Sequence, residues 1–357
     1  MTNKKNNDSK MNYPENLKLG STIGICAPSC GIVEKDKLKK LDLAIKQLEE
    51  LGYKVKETQS VRSQINGRSN TAKIRAKEFM ELYENPDVKL ILCATGGDFL
   101  SEMLDELDWN KLKVLPPKWI QGYSDITGLG FLFNVLLDIP TMYCQTVKDY
   151  AMRPLYKNLV DALEIEKGNE VIQNSFEMHE KITNLFEETL PKEDNESLER
   201  TYNLTEKTEW KNLNGEKKIV IQGRTIGGCL DCIRFLFGTK YDKINEYINR
   251  HANDGIIWFL ECFEMSTSSL YLTLWQMKNA GYFKNCSGVI FGRSLFMRED
   301  YDISFEETIK QAMYELKIPI ILDADIGHVA PQLAIVNGAL VKIESGGGKG
   351  IVYTKLK

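Results

Sequence analysis

The stretch Lys118-Trp-Ile-Gln-Gly122-Tyr-Ser124-Asp125-Ile-Thr127 begins as an apolar strand and ends as a helix start, with a serine at the corner. Gly122, two residues before the serine, lets the backbone turn sharply. Asp125 and Thr127 are helix-capping types, and the apolar-rich run Leu129 to Leu137 carries the helix onward. A serine on such a turn projects its hydroxyl above the carboxyl edge of a sheet, and the N–H of the next residue, Asp125, faces a developing oxyanion. Ile126 stands where a nucleophile elbow usually has its second glycine.

A nucleophilic serine needs a base and an acid. His328 follows the run Leu322-Asp-Ala-Asp-Ile-Gly327, and a neutral imidazole on such a glycine-flanked loop suits general-base work. Glu261 directly follows the apolar run Ile256-Ile-Trp-Phe-Leu260, where a carboxylate is expensive to bury without a partner. A histidine is one natural partner, because the carboxylate holds its ring and stabilises the imidazolium. Glu264 is the rival acid, expected to be solvated. His179 and His251 sit among polar neighbours and read as surface residues. Asp323, Asp325 and His328 offer an alternative, a metal site of two carboxylates and one histidine. Cys229-Leu-Asp-Cys232 lacks the second pair of a zinc site and reads as core packing. Gly346-Gly-Gly-Lys-Gly350 lacks the Ser/Thr and helix of a phosphate loop and reads as a hairpin turn. No G-x-G-x-x-G follows the first strand, so no dinucleotide is expected.

Strands and helices must carry these residues. Strands are expected at 21–29, 53–61, 88–94, up to Ser124, and at 140–144, with helices at 35–51, 71–84, 100–107 and after Ser124. This alternation argues for a parallel, flavodoxin-like sheet covered on both faces, with sites beyond the carboxyl strand ends. Gly96-Gly97 and Ser124 both fall at such ends. A second α/β region is expected to hold strands at 219–222, 255–260, 288–291, 319–323, 333–344 and 351–355, the first of them ending at the glycine-rich stretch 223–228. A capping box at Ser304 to Glu307 opens a helix there. The domain reading is a flexible tail at 1–16, an N-terminal domain at 17–165, a charged linker or flap at 166–218, and a smaller C-terminal α/β domain at 219–357.

The 357 residues are 43% apolar and 27% charged with a net charge of −4. These values fit a globular protein and give no reason to expect nucleic acid or an anionic membrane as partner. The Lys/Asn-rich first sixteen residues have neither a signal peptide's nor an anchor's apolar core. The eight cysteines follow no disulfide-framework spacing and are expected to be reduced thiols in the cytoplasm.

In the order and spacing of several short motifs the chain resembles the LD-carboxypeptidases, serine peptidases that include microcin C self-immunity proteins. The carriers are Ile23-Gly-Ile-Cys-Ala-Pro28, Gly96-Gly97 with Leu104 and Asp108, Gly122-Tyr-Ser-Asp-Ile-Thr127 and Gly223-Arg-Thr-Ile-Gly-Gly228. Phe259-Leu-Glu261, Gly288-Val-Ile-Phe-Gly-Arg293, and Asp323 through His328 with Pro331 complete the set. The resemblance implies Ser124 as nucleophile, Glu261 as acid, His328 as base, and the Gly97 and Asp125 N–H groups as oxyanion hole. It implies no metal, no other cofactor and a homodimer. The implied reaction is hydrolysis of the terminal L-D bond of a murein tetrapeptide-like substrate. Alternatives are a microcin C-type immunity hydrolase acting on a peptidyl-nucleotide amide, or a non-catalytic small-molecule binding module. Family members acting on cell-wall peptides usually carry Arg before the glycine pair and Asp after the catalytic Glu. Here these places hold Thr95 and Cys262, and in the first respect the chain is closer to the immunity branch. A terminal carboxylate must still be bound, and Gly96, Arg224, Arg293 and Trp210 are the candidate substrate contacts.

Overall fold

The computed structural model describes residues 11–181, 201–296 and 298–356. The first five strands are β1 (Thr22–Cys26), β2 (Lys54–Glu57), β3 (Val88–Cys93), β4 (Trp119–Gln121) and β5 (Thr141–Tyr143). They pair in parallel in the order β2-β1-β3-β4-β5. This is the flavodoxin-like order, whose topological switch lies between β1 and β3. Two-sided burial explains the apolar strand sequences. Along β3, Ile91 and Cys93 face the core holding Phe79 and Phe133, from helices Ala72–Glu84 and Thr127–Leu137. Leu90 and Leu92 face the opposite core, with Leu41 and Leu159 from helices Lys35–Glu50 and Lys157–Glu166.

The later strands are β6 (Ile172–Asn174), β7 (Met178–Glu180), β8 (Leu204–Lys207), β9 (Lys211–Asn212), β10 (Lys218–Cys229) and β11 (Ile256–Glu261). They continue with β12 (Cys286–Gly292), β13 (Ile320–Ala324), β14 (Ile335–Asn337), β15 (Leu340–Gly346) and β16 (Lys349–Lys355). Among the described residues they form an eight-stranded sheet, β6-β16-β15-β10-β11-β12-β13-β9, and a small β7-β8 pair. β14 instead joins the first sheet, antiparallel to β5. In β11 the alternation is again complete, with Ile256, Trp258 and Leu260 in one core and Ile257 and Phe259 in the other. Both cores therefore run through both sheets.

Several expectations are corrected. The single strand expected over 333–344 is two. Gly338, at φ 98°, turns the chain between a strand of the first sheet and one of the second. The strand expected to end at 223–228 instead continues through that stretch as the second half of β10, which stays extended because β11 pairs with it from Arg224 to Cys229. The described parts of 166–218 are not a bare linker, since β6 and β9 form the two edges of the second sheet. Leu185, Phe186 and Leu190 of that segment, and residues 1–10 of the expected tail, lie outside the described residues. Met11, also expected in the tail, is 3% exposed and packed in a core. The N-cap half of the capping box is present, with the Ser304 hydroxyl accepting from the Glu307 N–H at 3.2 Å, while the Glu307 carboxylate accepts from Gln311, and β15 and β16 form the expected hairpin. Among the described residues no helix is long and apolar enough to cross a membrane.

The loops after β1 and β3 are joined by one side chain. Arg75 is fully buried, and its guanidinium donates to the Pro28 carbonyl at 2.7 Å, the Phe99 carbonyl at 2.9 Å and the Glu102 carboxylate at 2.8 Å. Arg75→Met keeps the apolar stem and removes all these donors. Losing them should cost about 2–4 kcal/mol of unfolding free energy in urea. A change of less than about 0.5 kcal/mol, the range of ordinary surface substitutions, would mean the two loops hold themselves.

Candidate active site

Ser124 opens a short 3-10 turn, Ser124–Ile126, that leads from β4 into helix Thr127–Leu137. Its φ is 62°, left-handed for a residue with a side chain, a conformation that costs about 1–3 kcal/mol and marks functional corners. The approach of neighbouring side chains explains two glycines. A Cβ on Gly96 would stand 2.8 Å from both Cβ and Oγ of Ser124, and one on Gly122 would stand 2.7 Å from Ile126. The same point above Gly96 is 3.6 Å from the Asp125 nitrogen. The glycine pair after β3 and the amide after the serine thus lie side by side, as an oxyanion hole requires.

The Asp125 side chain locks this corner. Its carboxylate accepts from the Ser29 hydroxyl at 2.5 Å, in the loop after β1, and from the Leu100 N–H at 2.9 Å, in the loop after β3. Burial pushes the Asp125 carboxyl above its ordinary range, although these two hydrogen bonds oppose the shift. With Arg75 below and Asp125 above, the loops after β1 and β3 and the elbow form one frame.

Glu261 ends β11 and has no exposed surface. Its carboxylate accepts from the His328 Nδ1 at 3.0 Å and the Tyr143 hydroxyl at 2.7 Å. Burial alone would raise its pKa; the His328 charge and hydrogen bonds from His328, Tyr143 and Cys229 outweigh burial and leave it below the usual range. The His328 ring lies between Tyr123 and Phe263, with ring centroids 5.0 and 4.5 Å away. Its Nε2 is buried without a hydrogen-bond partner among the described residues. Nε2 and the Ser124 hydroxyl are not hydrogen-bonded to each other in this structure, and such bonds often form only in the substrate complex. Ser124 and His328 line the same cavity, of about 770 Å³. A second cavity of about 500 Å³, with Asp125, Asp231 and Arg234 on its wall, meets the first at Gly97, Ser124 and Phe263.

The other expected site residues do not gather here. Arg224 is buried and committed to Asp254 at 2.6 Å and to the Gly338 carbonyl, well bonded at the start of the β10–β11 pairing. Arg293 is buried against Asp325 at 2.8 Å and bonds the Asp323 and Pro331 carbonyls. Trp210 is a core side chain, 3% exposed, whose Nε1–H donates to the same Asp325 carboxylate at 2.8 Å. None of the three lines either cavity. Gly96 does line the larger one. Glu264 is exposed, with its N–H held by Asp231, and the solvated reading of it stands. The metal alternative does not assemble: Asp323 pairs with Lys211 at 2.9 Å, Asp325 with Arg293, and His328 with Glu261. His251 is not a surface residue; it is buried, with Nε2 2.9 Å from Asp138. Three participants were missed. Tyr143 ends a strand beside the elbow strand and was detectable as a polar group on that edge. Ser29 acts from the loop after β1 and Asp231 from the short helix Leu230–Ile233, and no local pattern gives what either one meets.

Residues 23–144 match the LD-carboxypeptidase N-terminal domain and residues 222–343 the LD-carboxypeptidase C-terminal domain. The chain is 27% identical to the microcin C7 self-immunity protein MccF of Escherichia coli over 341 residues, 92% of each chain. It is 24% identical to a probable murein peptide carboxypeptidase of Bacillus subtilis over 333 residues, 92% of this chain and 91% of that one. Its fold matches a solved structure of the microcin C7 self-immunity protein in complex with aspartyl sulfamoyl adenosine. The TM-score is 0.77 at 23% identity, covering 96% of this chain and 98% of the other.

The hydrogen-bonding around Glu261 singles it out over Glu264. Glu261→Gln keeps the shape but removes the charge that supports His328, and kcat should fall roughly 10²- to 10⁴-fold, as amide replacement does in other triads. Glu264→Gln should stay within about threefold of the parent, as an exposed substitution. The reverse ranking in a side-by-side kinetic assay would reassign the acid.

Proposed function

The chain belongs to the LD-carboxypeptidase family and is a serine peptidase, and we propose that Ser124, His328 and Glu261 form its catalytic triad. The observation that carries this reading is the buried Glu261 carboxylate holding Nδ1 of His328, whose partnerless Nε2 belongs to the ring that shares a cavity with Ser124. Nε2 takes the Ser124 proton as Oγ attacks the scissile carbonyl carbon. The tetrahedral oxyanion is held by the N–H groups of Gly97 and Asp125, each worth about 10²- to 10³-fold in rate by analogy with other oxyanion donors. The imidazolium gives its proton to the departing nitrogen. Water, activated by the same Nε2, then releases the acyl group from Ser124. Glu261 keeps the ring in one tautomer and offsets its transient charge.

The substrate we favour is a murein tetrapeptide-like peptide, cleaved at its terminal L-D bond; the name of the Bacillus subtilis relative supports it. A second reading is hydrolysis of the amide joining an aminoacyl group to a nucleotide. It is supported by Thr95 before the glycine pair and by the aspartyl sulfamoyl adenosine in the related solved structure. Incubating the protein with a murein tetrapeptide and with an aspartyl-adenylate amide, and weighing the products, separates the two. All eight cysteines are free thiols, which supports a reducing, cytoplasmic setting.

Ser124→Ala should fold normally, because the hydroxyl packs against little. It should lower kcat by about three to six decades and abolish labelling by a fluorophosphonate probe. Activity within about tenfold of the parent, a barrier change of only ~1.4 kcal/mol, would remove Ser124 as nucleophile.

A further inference from the structure

Lys148 is left unexplained by the triad. It sits in the turn Val147–Ala151 that follows β5, half-buried on the wall of the larger cavity. Its ammonium makes one long hydrogen bond, 3.4 Å to the Thr95 hydroxyl. Among the described residues no carboxylate reaches ion-pair distance from it. Two acids face it, Asp149 beside it in the chain and Glu34 across the cavity, and Glu34 is engaged by Lys37 at 3.0 Å. Burial pulls the lysine's pKa down, and Asp149 opposes that shift. A half-buried ammonium with a single weak acceptor is costly as it stands, and an anion completing its shell would lower that cost.

Its position says which part of a substrate would bring the anion. Thr95 directly precedes the glycine pair of the oxyanion loop, so the ammonium lies beside the reacting centre. The histidine of a serine peptidase must return its proton to the departing nitrogen, so the departing half lies on the histidine's side of the serine. His328 lines the larger cavity, whereas Asp125, Asp231 and Arg234 line the smaller one. We propose that the larger cavity is the leaving-group subsite and that Lys148 binds an anionic group carried by the departing half, close to the scissile nitrogen. This rests on the triad assignment above. Two sources share the chemistry: the carboxylate of a departing terminal amino acid, or the phosphate of a departing nucleotide. A lysine serves either as a point charge.

Binding to protein carrying Ser124→Ala, measured by calorimetry, tests the assignment without turnover. The probes are a murein tetrapeptide with a free terminal carboxylate, its amide-capped version, N-aspartyl adenosine phosphoramidate, and the uncharged methyl ester of that phosphoramidate. Adding Lys148→Met should weaken at least one anionic probe by about tenfold or more, ~1.4 kcal/mol. The counterpart lacking that anionic group should change less than about twofold, and Lys148→Arg should restore most of the loss. A selective loss on the tetrapeptide identifies the amino-acid carboxylate; one on the phosphoramidate identifies the nucleotide. Lys148→Gln gives the same comparison if the methionine variant does not fold. Equal losses on charged and uncharged probes, no loss on either, or no binding of any probe would overturn the proposal. Turnover by the protein with Ser124 intact is read separately. Charge-selective binding without turnover would sink the triad and leave Lys148 in place.

Discussion

The Glu261 carboxylate is the group on which the two halves of the molecule depend. It has no exposed surface, yet its pKa stays below the usual range because donors from two separate elements converge on it. Tyr143 comes from the first sheet and His328 from the loop after β13. An isolated carboxylate in that position would cost many kcal/mol and would neutralise instead. The docking of one sheet against the other therefore fixes the His328 ring in the same step that satisfies the charge. Separating the sheets would leave His328 without its anchor and Glu261 without a reason to be buried.

The serine's side is built on a different principle. A left-handed corner is held because its surroundings over-determine it. Asp125 bonds the loops after β1 and β3 from one direction, and Arg75 bonds them from another. Both loops flank the switch between β1 and β3, where the chain leaves an open crevice at the strand ends. The second domain fills part of that crevice with His328 and Phe263, and what stays open is a cleft divided at Ser124. The crossing of β14 into the first sheet ties the two domains through the backbone as well. There Asn337 bonds Asn134 at 2.9 Å and Thr225 bonds the Val336 carbonyl.

Local pattern carried a good part of this. The strand-helix alternation up to Cys144 and the apolar runs ending in Ser124 and Glu261 were legible because burial on both faces leaves a plain signature in the residues themselves. The glycine-rich stretch 223–228 reads as the end of a strand although the strand runs through it, since glycine marks both a strand end and a strand that must lie close to its neighbours. Arg224, Arg293 and Trp210 were misplaced for a related reason. Each has the chemistry to hold a substrate, and each spends it on an acid, the half-buried Asp254 or the buried Asp325, that is remote in the chain or on another element.

The sequence by itself determined the kinds of group available: a serine on a sharp turn, a carboxylate after an apolar strand, a histidine on a glycine-flanked loop. These are consequences of local geometry, set within a few residues of each side chain. Only the tertiary structure decided which groups meet. Sixty-seven residues separate Glu261 from His328, and 118 separate it from Tyr143. No periodicity reports a contact across such distances, because it is fixed by how two sheets pack and not by any segment alone. The same packing committed two buried arginines to acids within the fold and left Lys148 facing the cleft.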